Sequence, residues 1–256
     1  DRGLIVSLQN TQIIAIFILV LAFAAVVALP RFGRKRPHRR IMAYEMIPAM
    51  VGSAIEADRP IHLSLGGAGV GSEQTILAIS SAELVYYVAE RATIGDTSPI
   101  ITVSNPLSLP LAQDTLRRAY YATKLSKRFS GLAARWYPSG RRSLAFVAGI
   151  SGMMGAERPA AHVLVGSYGA ELALILMGTS RRRVPTIASS DQLDGMAVAY
   201  AMSDAPLLGE EMFVSNAYLG DAEVHRSDTT ALDLLRWLVI LTMLAGLVIS
   251  IIHRGG

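Results

Sequence analysis

Ile13–Leu29 (IIAIFILVLAFAAVVAL) is an unbroken apolar run without a charge. At 1.5 Å per residue it covers roughly 26 Å as a helix, close to the thickness of a bilayer's hydrocarbon core. Gln12 and Pro30 flank it at positions suited to the interfaces. A secretory signal would carry its basic residues before the apolar stretch. Here only Arg2 precedes it, while Arg31, Arg34, Lys35, Arg36, Arg39 and Arg40 follow. A second run, Leu234–Ile252, is apolar on all faces from Trp237 onward, with Arg236 placed to snorkel and Trp237 to sit in the interface. Two transmembrane helices are therefore expected. The composition agrees, with 52% hydrophobic residues and a positive mean hydropathy of +0.39.

The positive-inside rule turns these spans into a topology. The cluster Arg31, Arg34, Lys35, Arg36, Arg39 and Arg40 belongs at the inner membrane surface, in contact with the lipid bilayer. Everything between the spans is then expected in the cytoplasm. The short tail with His253 and Arg254 is a weaker opposing signal. The expected organisation is an N-terminal segment and span over residues 1–30, a basic linker over 31–40 and a domain over 41–221. A second linker over 222–233 leads to a C-terminal span and tail over 234–256.

The central region alternates short apolar strands with helical segments. Strands are expected at Ile61–Leu65, Ile100–Ser104, Ala133–Tyr137, His162–Gly166, Val184–Ala188 and Ala205–Leu208. A helix interrupted at Pro48 precedes them over Met42–Ala57. Others are expected at Glu73–Arg91, Leu111–Arg128, Arg141–Glu157, Ala170–Gly178, Asp191–Ala201 and Glu210–Leu219. This alternation predicts an α/β fold, a doubly wound, mostly parallel six-stranded Rossmann-like sheet flanked by the two transmembrane helices. Two βαβαβ halves with right-handed crossovers would place the first and fourth strands side by side. Their glycine loops, Gly66–Gly71 and Gly166–Gly169, would then face each other across one crevice.

Four segments carry a family likeness: Ser53–His62, the Gly66–Gly71 loop, Pro110–Tyr120 and Leu208–Phe213. With them the chain resembles an uncharacterised family of membrane-anchored bacterial proteins with a cytoplasmic Rossmann-like domain. The likeness covers most of Ile41–Leu219 and fits least over Gly131–Ser143. It implies anchorage in a bacterial inner (cytoplasmic) membrane and brings no catalytic residues with it.

The glycine crevice is the principal ligand candidate. Gly66, Gly67, Gly69, Gly71, Ser72, Ser104, Asn105, Gly166, Ser167 and Ser189 all fall at or just after strand ends, where open α/β sheets bind ligands. The loop departs from the dinucleotide pattern, because Gly69-Val70-Gly71 leaves one residue where two are needed. No acid follows the second strand to hold a ribose, and no Gly-Lys-Ser/Thr is present. Tight turning and close helix–sheet packing explain the glycines as well. The acids Glu73, Glu171, Asp191, Glu210 and Glu211 fall near helix starts, where capping is their expected task. His62 and His162 occupy matching places at the starts of their strands and suit a paired structural role at the floor of the sheet.

Several classes are excluded or unsupported. With no cysteine, the chain has no disulfide, thiolate metal site or cysteine nucleophile. Gly-x-Ser-x-Gly is absent, so a hydrolase triad has no support. The basic tract from Arg117 to Arg142, together with Arg181-Arg182-Arg183, reads as a solvated or lipid-facing surface, and no nucleic acid is expected as a partner. No catalytic or metal residues and no cofactor are assigned. The expected function is a non-enzymatic structural or assembly subunit of a bacterial membrane complex, associating with itself or with other membrane subunits. The alternative is a nucleotide- or small-ligand-binding sensor using the Gly66–Gly71 crevice.

Overall fold

A computed structural model of the chain describes residues 40–71 and 73–219. Both expected spans lie outside the described residues, as do Arg31, Arg34, Lys35, Arg36, Arg39 and Ser72. Among the described residues no helix is long and apolar enough to cross a membrane.

Six parallel strands form one sheet in the order β3-β2-β1-β4-β5-β6. They are β1 (Ile61–Gly66), β2 (Ile100–Val103), β3 (Ala134–Trp136), β4 (Ala161–Ser167), β5 (Thr186–Ala188) and β6 (Ala205–Pro206). The first and fourth strands are neighbours, paired from Ile61↔Ala161 to Gly66↔Ser167, so the two halves meet at this seam. Every residue of β1 and β4 is buried, the apolar ones and also His62, Ser64 and His162, which share one side of the sheet.

The helices are α1 (Met42–Glu56), α2 (Thr75–Ala92), α3 (Leu109–Ala122), α4 (Leu144–Glu157), α5 (Leu172–Arg181), α6 (Leu193–Met202) and α7 (Ser215–Leu219). Residues Ile61, Leu63, Leu65, Ile101, Val163 and Ile187 point to one face and pack with α1, α2 and α3. Ile100, Leu164 and Ala188 point to the other, beneath Phe146, Ile150 and Met154 of α4 and Leu172, Ile175 and Leu176 of α5. Truncating a fully buried residue such as Leu63 or Ile101 to Ala would cost about 2–5 kcal/mol.

Several boundaries differ from the sequence expectation for identifiable reasons. The first helix continues from Met42 to Glu56 with Pro48 inside it, at an exposed position. Helix α3 begins two residues early, with Pro110 in its first turn, where a missing N–H costs nothing. It ends at Ala122 instead of Arg128. Lys124 takes a left-handed conformation (φ 61°), the Leu125 N–H reaches back to the Tyr120 carbonyl, and the chain leaves the helix in a Schellman turn without a glycine to announce it. The expected last helix is split into a 3-10 turn at Gly209–Phe213 and the short α7.

Candidate functional site

At the carboxyl end of the sheet the two glycine loops touch instead of facing each other across an open cleft. Gly67 donates its N–H to the Ser167 carbonyl at 2.8 Å. Gly66 has φ of +56°, and a Cβ there would stand 2.5 Å from the Ser167 carbonyl oxygen and 2.8 Å from the Tyr168 ring. Gly166 is closer still, since a Cβ would fall 2.0 Å from the carbonyl oxygen of Leu65. Both glycines are required by strand-to-strand approach at the seam, where β1 shifts register between Ser64 and Gly66 against both neighbours. At these two positions the missing side chain serves the close packing of one strand on the next.

Polar side chains close what space is left. The Ser167 hydroxyl accepts from Gln74 Nε2 at 3.0 Å and from Gln192 Nε2 at 2.9 Å, and Gln74 also donates to Asp191 at 3.1 Å. Gln74 and Gln192 stand immediately before α2 and α6, so one serine ties together the loops after β1, β4 and β5. Ser190 is a second junction. Its hydroxyl donates to the Tyr168 carbonyl at 2.6 Å and accepts the N–H groups of Tyr168 and Gln192 at 3.1 Å each. Neither serine has an imidazole or carboxylate partner among the described residues, so nothing here activates a nucleophile.

The remaining expected ligand residues are spread by the fold. Gly69 is buried in the loop. Gly71 (φ +87°) is exposed and donates its N–H to Thr75 Oγ1. Ser104 is buried, with its backbone bound to Gly66 and to the Trp136 indole. The Asn105 side chain caps the turn at Pro106–Ser108. Ser189 is drawn away from the crevice, pointing at the Met212 sulfur. Only Gly66, Gly67, Ser104, Gly166 and Ser167 gather at the seam. Sequence reasoning missed Gln74, Gln192 and Tyr168, none of which carries a local signal of these contacts.

The rim acids divide. Glu211 accepts the Leu208 N–H and Glu171 the Gly169 N–H, both tying down loops at helix starts. Asp191 instead holds Gln74, and Glu73 stands exposed outside the first turn of α2, which contains no acid. Among the described residues no group of three or more metal-ligating side chains comes together. The basic tract has more relief than its sequence suggests. Arg117 pairs with Asp114, Arg135 with Glu157 at 2.7 Å, and Arg118 lies over the Tyr86 ring. Arg40 is exposed beside Glu45.

On the α4 and α5 side of the sheet, a buried polar chain crosses three strands. His62 and His162 lie opposite each other in register, with their Nδ1 atoms 2.9 Å apart. His62 Nε2 meets Thr102 Oγ1 at 2.9 Å, Thr102 donates to Ser64 Oγ at 2.9 Å, and Ser64 donates to the Thr102 carbonyl. This is the paired structural role expected at the floor of the sheet. Burial, reinforced by His162, holds His62 well below the usual imidazole range. Burial and the nearby Arg182 and Arg59 push His162 down to about 3. Both rings are neutral at physiological pH.

Residues 4–255 match the family described as a domain of unknown function, DUF6754, so the chain belongs to that family. No curated protein and no solved structure was found to match it.

Proposed function

We propose that this member of the DUF6754 family is a membrane-anchored, non-enzymatic assembly subunit whose α/β domain is an interaction module on the cytoplasmic side of a bacterial inner membrane. The reading rests on a single observation at the carboxyl rim of the sheet. There the loop serines and glutamines bond one another and the backbone, while large apolar side chains are left in solvent. Ile76 is 72% exposed and Leu193 81%, and Leu107, Trp136, Leu144 and Phe213 are exposed on neighbouring loops of the same rim. A rim of this kind suits burial against another subunit better than a nucleotide. The apolar runs Ile13–Leu29 and Leu234–Ile252 supply the anchor, and Ala24, Ala28, Gly246 and Ser250 within them permit close helix contacts.

Native mass spectrometry of the gently extracted full chain tests this. The expected species is an oligomer or a hetero-complex, and Ile76→Asp with Leu193→Asp should disperse it without unfolding the domain. A ligand-free monomer for the unaltered protein would sink the assembly reading. A retained nucleotide would favour the sensor, for which the convergence of Gln74, Ser167, Asp191 and Gln192 is the supporting observation. The topology has its own test. In this cysteine-free chain, Ser53→Cys and Ser227→Cys should resist an impermeant thiol reagent in intact cells, and labelling of either from outside would invert the orientation.

A further inference from the structure

The opposite end of the sheet contains an open cavity of about 400 Å³ lined by Arg59, Met154, Arg158, Pro159, His162 and Arg182, with Gly155 and Val184 completing its walls. It lies between the C-terminal ends of α4 and α5, beneath the start of β4. Three arginines meet here, and among the described residues none of them pairs with a carboxylate. Part of their charge serves the fold. Arg59 donates to the carbonyls of Arg158 and Pro159 at 2.6 and 2.9 Å, and Arg182 donates to the Gly178 carbonyl. Two helix C-termini contribute roughly half a negative charge each. That offsets about one of the three positive charges and leaves a cavity with a clear excess.

His162 forms the back of this cavity, and its Nε2 is buried with no hydrogen-bond partner. The polar chain fixes what that nitrogen offers. Thr102 gives its hydrogen to Ser64, so it accepts from His62 Nε2–H; His62 Nδ1 is then an acceptor, and His162 Nδ1 must carry the hydrogen between the rings. For a neutral His162, the orphaned Nε2 is therefore a lone pair. A buried acceptor without a donor is an uncommon state for a native protein and calls for a partner.

We propose that this cavity binds a phosphomonoester group, whose charged oxygens engage Arg182, Arg158 and the free edge of Arg59 while its P–OH donates to His162 Nε2. A monoester near its second ionisation, at about pH 6, supplies both the negative charge and the hydrogen that the site lacks. A sulfate or a phosphodiester supplies only the charge. The depressed basicity of His162, caused first by burial and then by Arg182 and Arg59, keeps Nε2 unprotonated until such a donor arrives. His162 has no solvent-exposed surface, so side chains lining the cavity must shift to admit the phosphate oxygen. This site is independent of the carboxyl rim proposed as the assembly surface.

The same chemistry could arrive as free phosphate or as a lipid headgroup, and two measurements on the full chain separate them. In detergent, titration with inorganic phosphate and with sulfate at pH 6.5 should show phosphate bound at least about tenfold tighter, a difference of about 1.4 kcal/mol. The His162 imidazole nitrogen resonances should move only with phosphate. In vesicles, phosphatidic acid should perturb the same resonances and phosphatidylglycerol should not, if a lipid is the source. Inorganic phosphate binding without a phosphatidic acid response assigns the site to soluble phosphomonoesters. Arg182→Gln, at an exposed position, should weaken phosphate binding about tenfold or more with the circular dichroism spectrum unchanged. His162→Gln should abolish the preference for phosphate over sulfate. Equal affinity for the two anions in the unaltered protein, no phosphate binding, or binding indifferent to Arg182→Gln would each overturn the proposal.

Discussion

Acidification from pH 7 to pH 5 should destabilise the domain through His62 and His162 in a way the sequence could not have quantified. Both imidazoles are fully buried, and both have pKa values held below 6.5, His162 at about 3. Above pH 6.5 each is neutral whether folded or unfolded, so its stability contribution is complete. As pH falls below 6.5 the unfolded chain takes up protons that the folded one refuses, and stability drains away toward the folded pKa. At pH 5 protonation of the unfolded His162 imidazole is worth about 2 kcal/mol, a sizeable part of a typical 5–15 kcal/mol total, and His62 acts in the same direction. Chemical denaturation of the full chain in detergent, followed by near-ultraviolet circular dichroism at pH 7, 6 and 5, measures the slope. The double variant His62→Gln, His162→Gln carries every other titrating group unchanged and should lose that slope between pH 6.5 and 5. If both proteins lose the same stability over this window, the buried pair is not the cause and the neutral-tautomer reading is wrong.

Other outcomes follow from the seam and the helices. Gly66→Ala should destabilise by about 2–4 kcal/mol, since a left-handed φ and a contact with the Ser167 carbonyl are both violated; a neutral effect in a thermal melt would show that the seam relaxes. Gly152→Ala, inside α4 with nothing within 4 Å of the new methyl, should stabilise by about 0.5–1 kcal/mol in the same melt. Replacing Gln74 and Gln192 together with Ala should cost about 1 kcal/mol per lost hydrogen bond and speed amide exchange in the loops they join; unchanged exchange would mean the loops are held by their backbones alone. Arg135→Ala breaks a partly exposed bridge to Glu157, and its cost should stay within about 1 kcal/mol and shrink with added salt.

The sequence by itself determined the order of elements and the strand topology. Short apolar-rich runs ending in glycine made IHLSL and HVLVG legible as strands, and right-handed crossovers then put β1 beside β4. Matching positions of His62 and His162 within the two halves were visible too, because register follows directly from that adjacency. Tertiary structure alone decided what the loops do. Gly66 meets Ser167 and Tyr168, and Gly166 meets the Leu65 backbone, through an approach of two strands that no local pattern encodes. Gln74 and Gln192 lie 118 residues apart and meet on Ser167 only after three strands have paired, so neither carried a signal of its own. The basic cavity is of the same kind. Arg59, Arg158 and Arg182 come from three separate turns, and the buried lone pair of His162 exists only because a chain of hydrogen bonds running from Ser64 through Thr102 and His62 fixes every proton along its length.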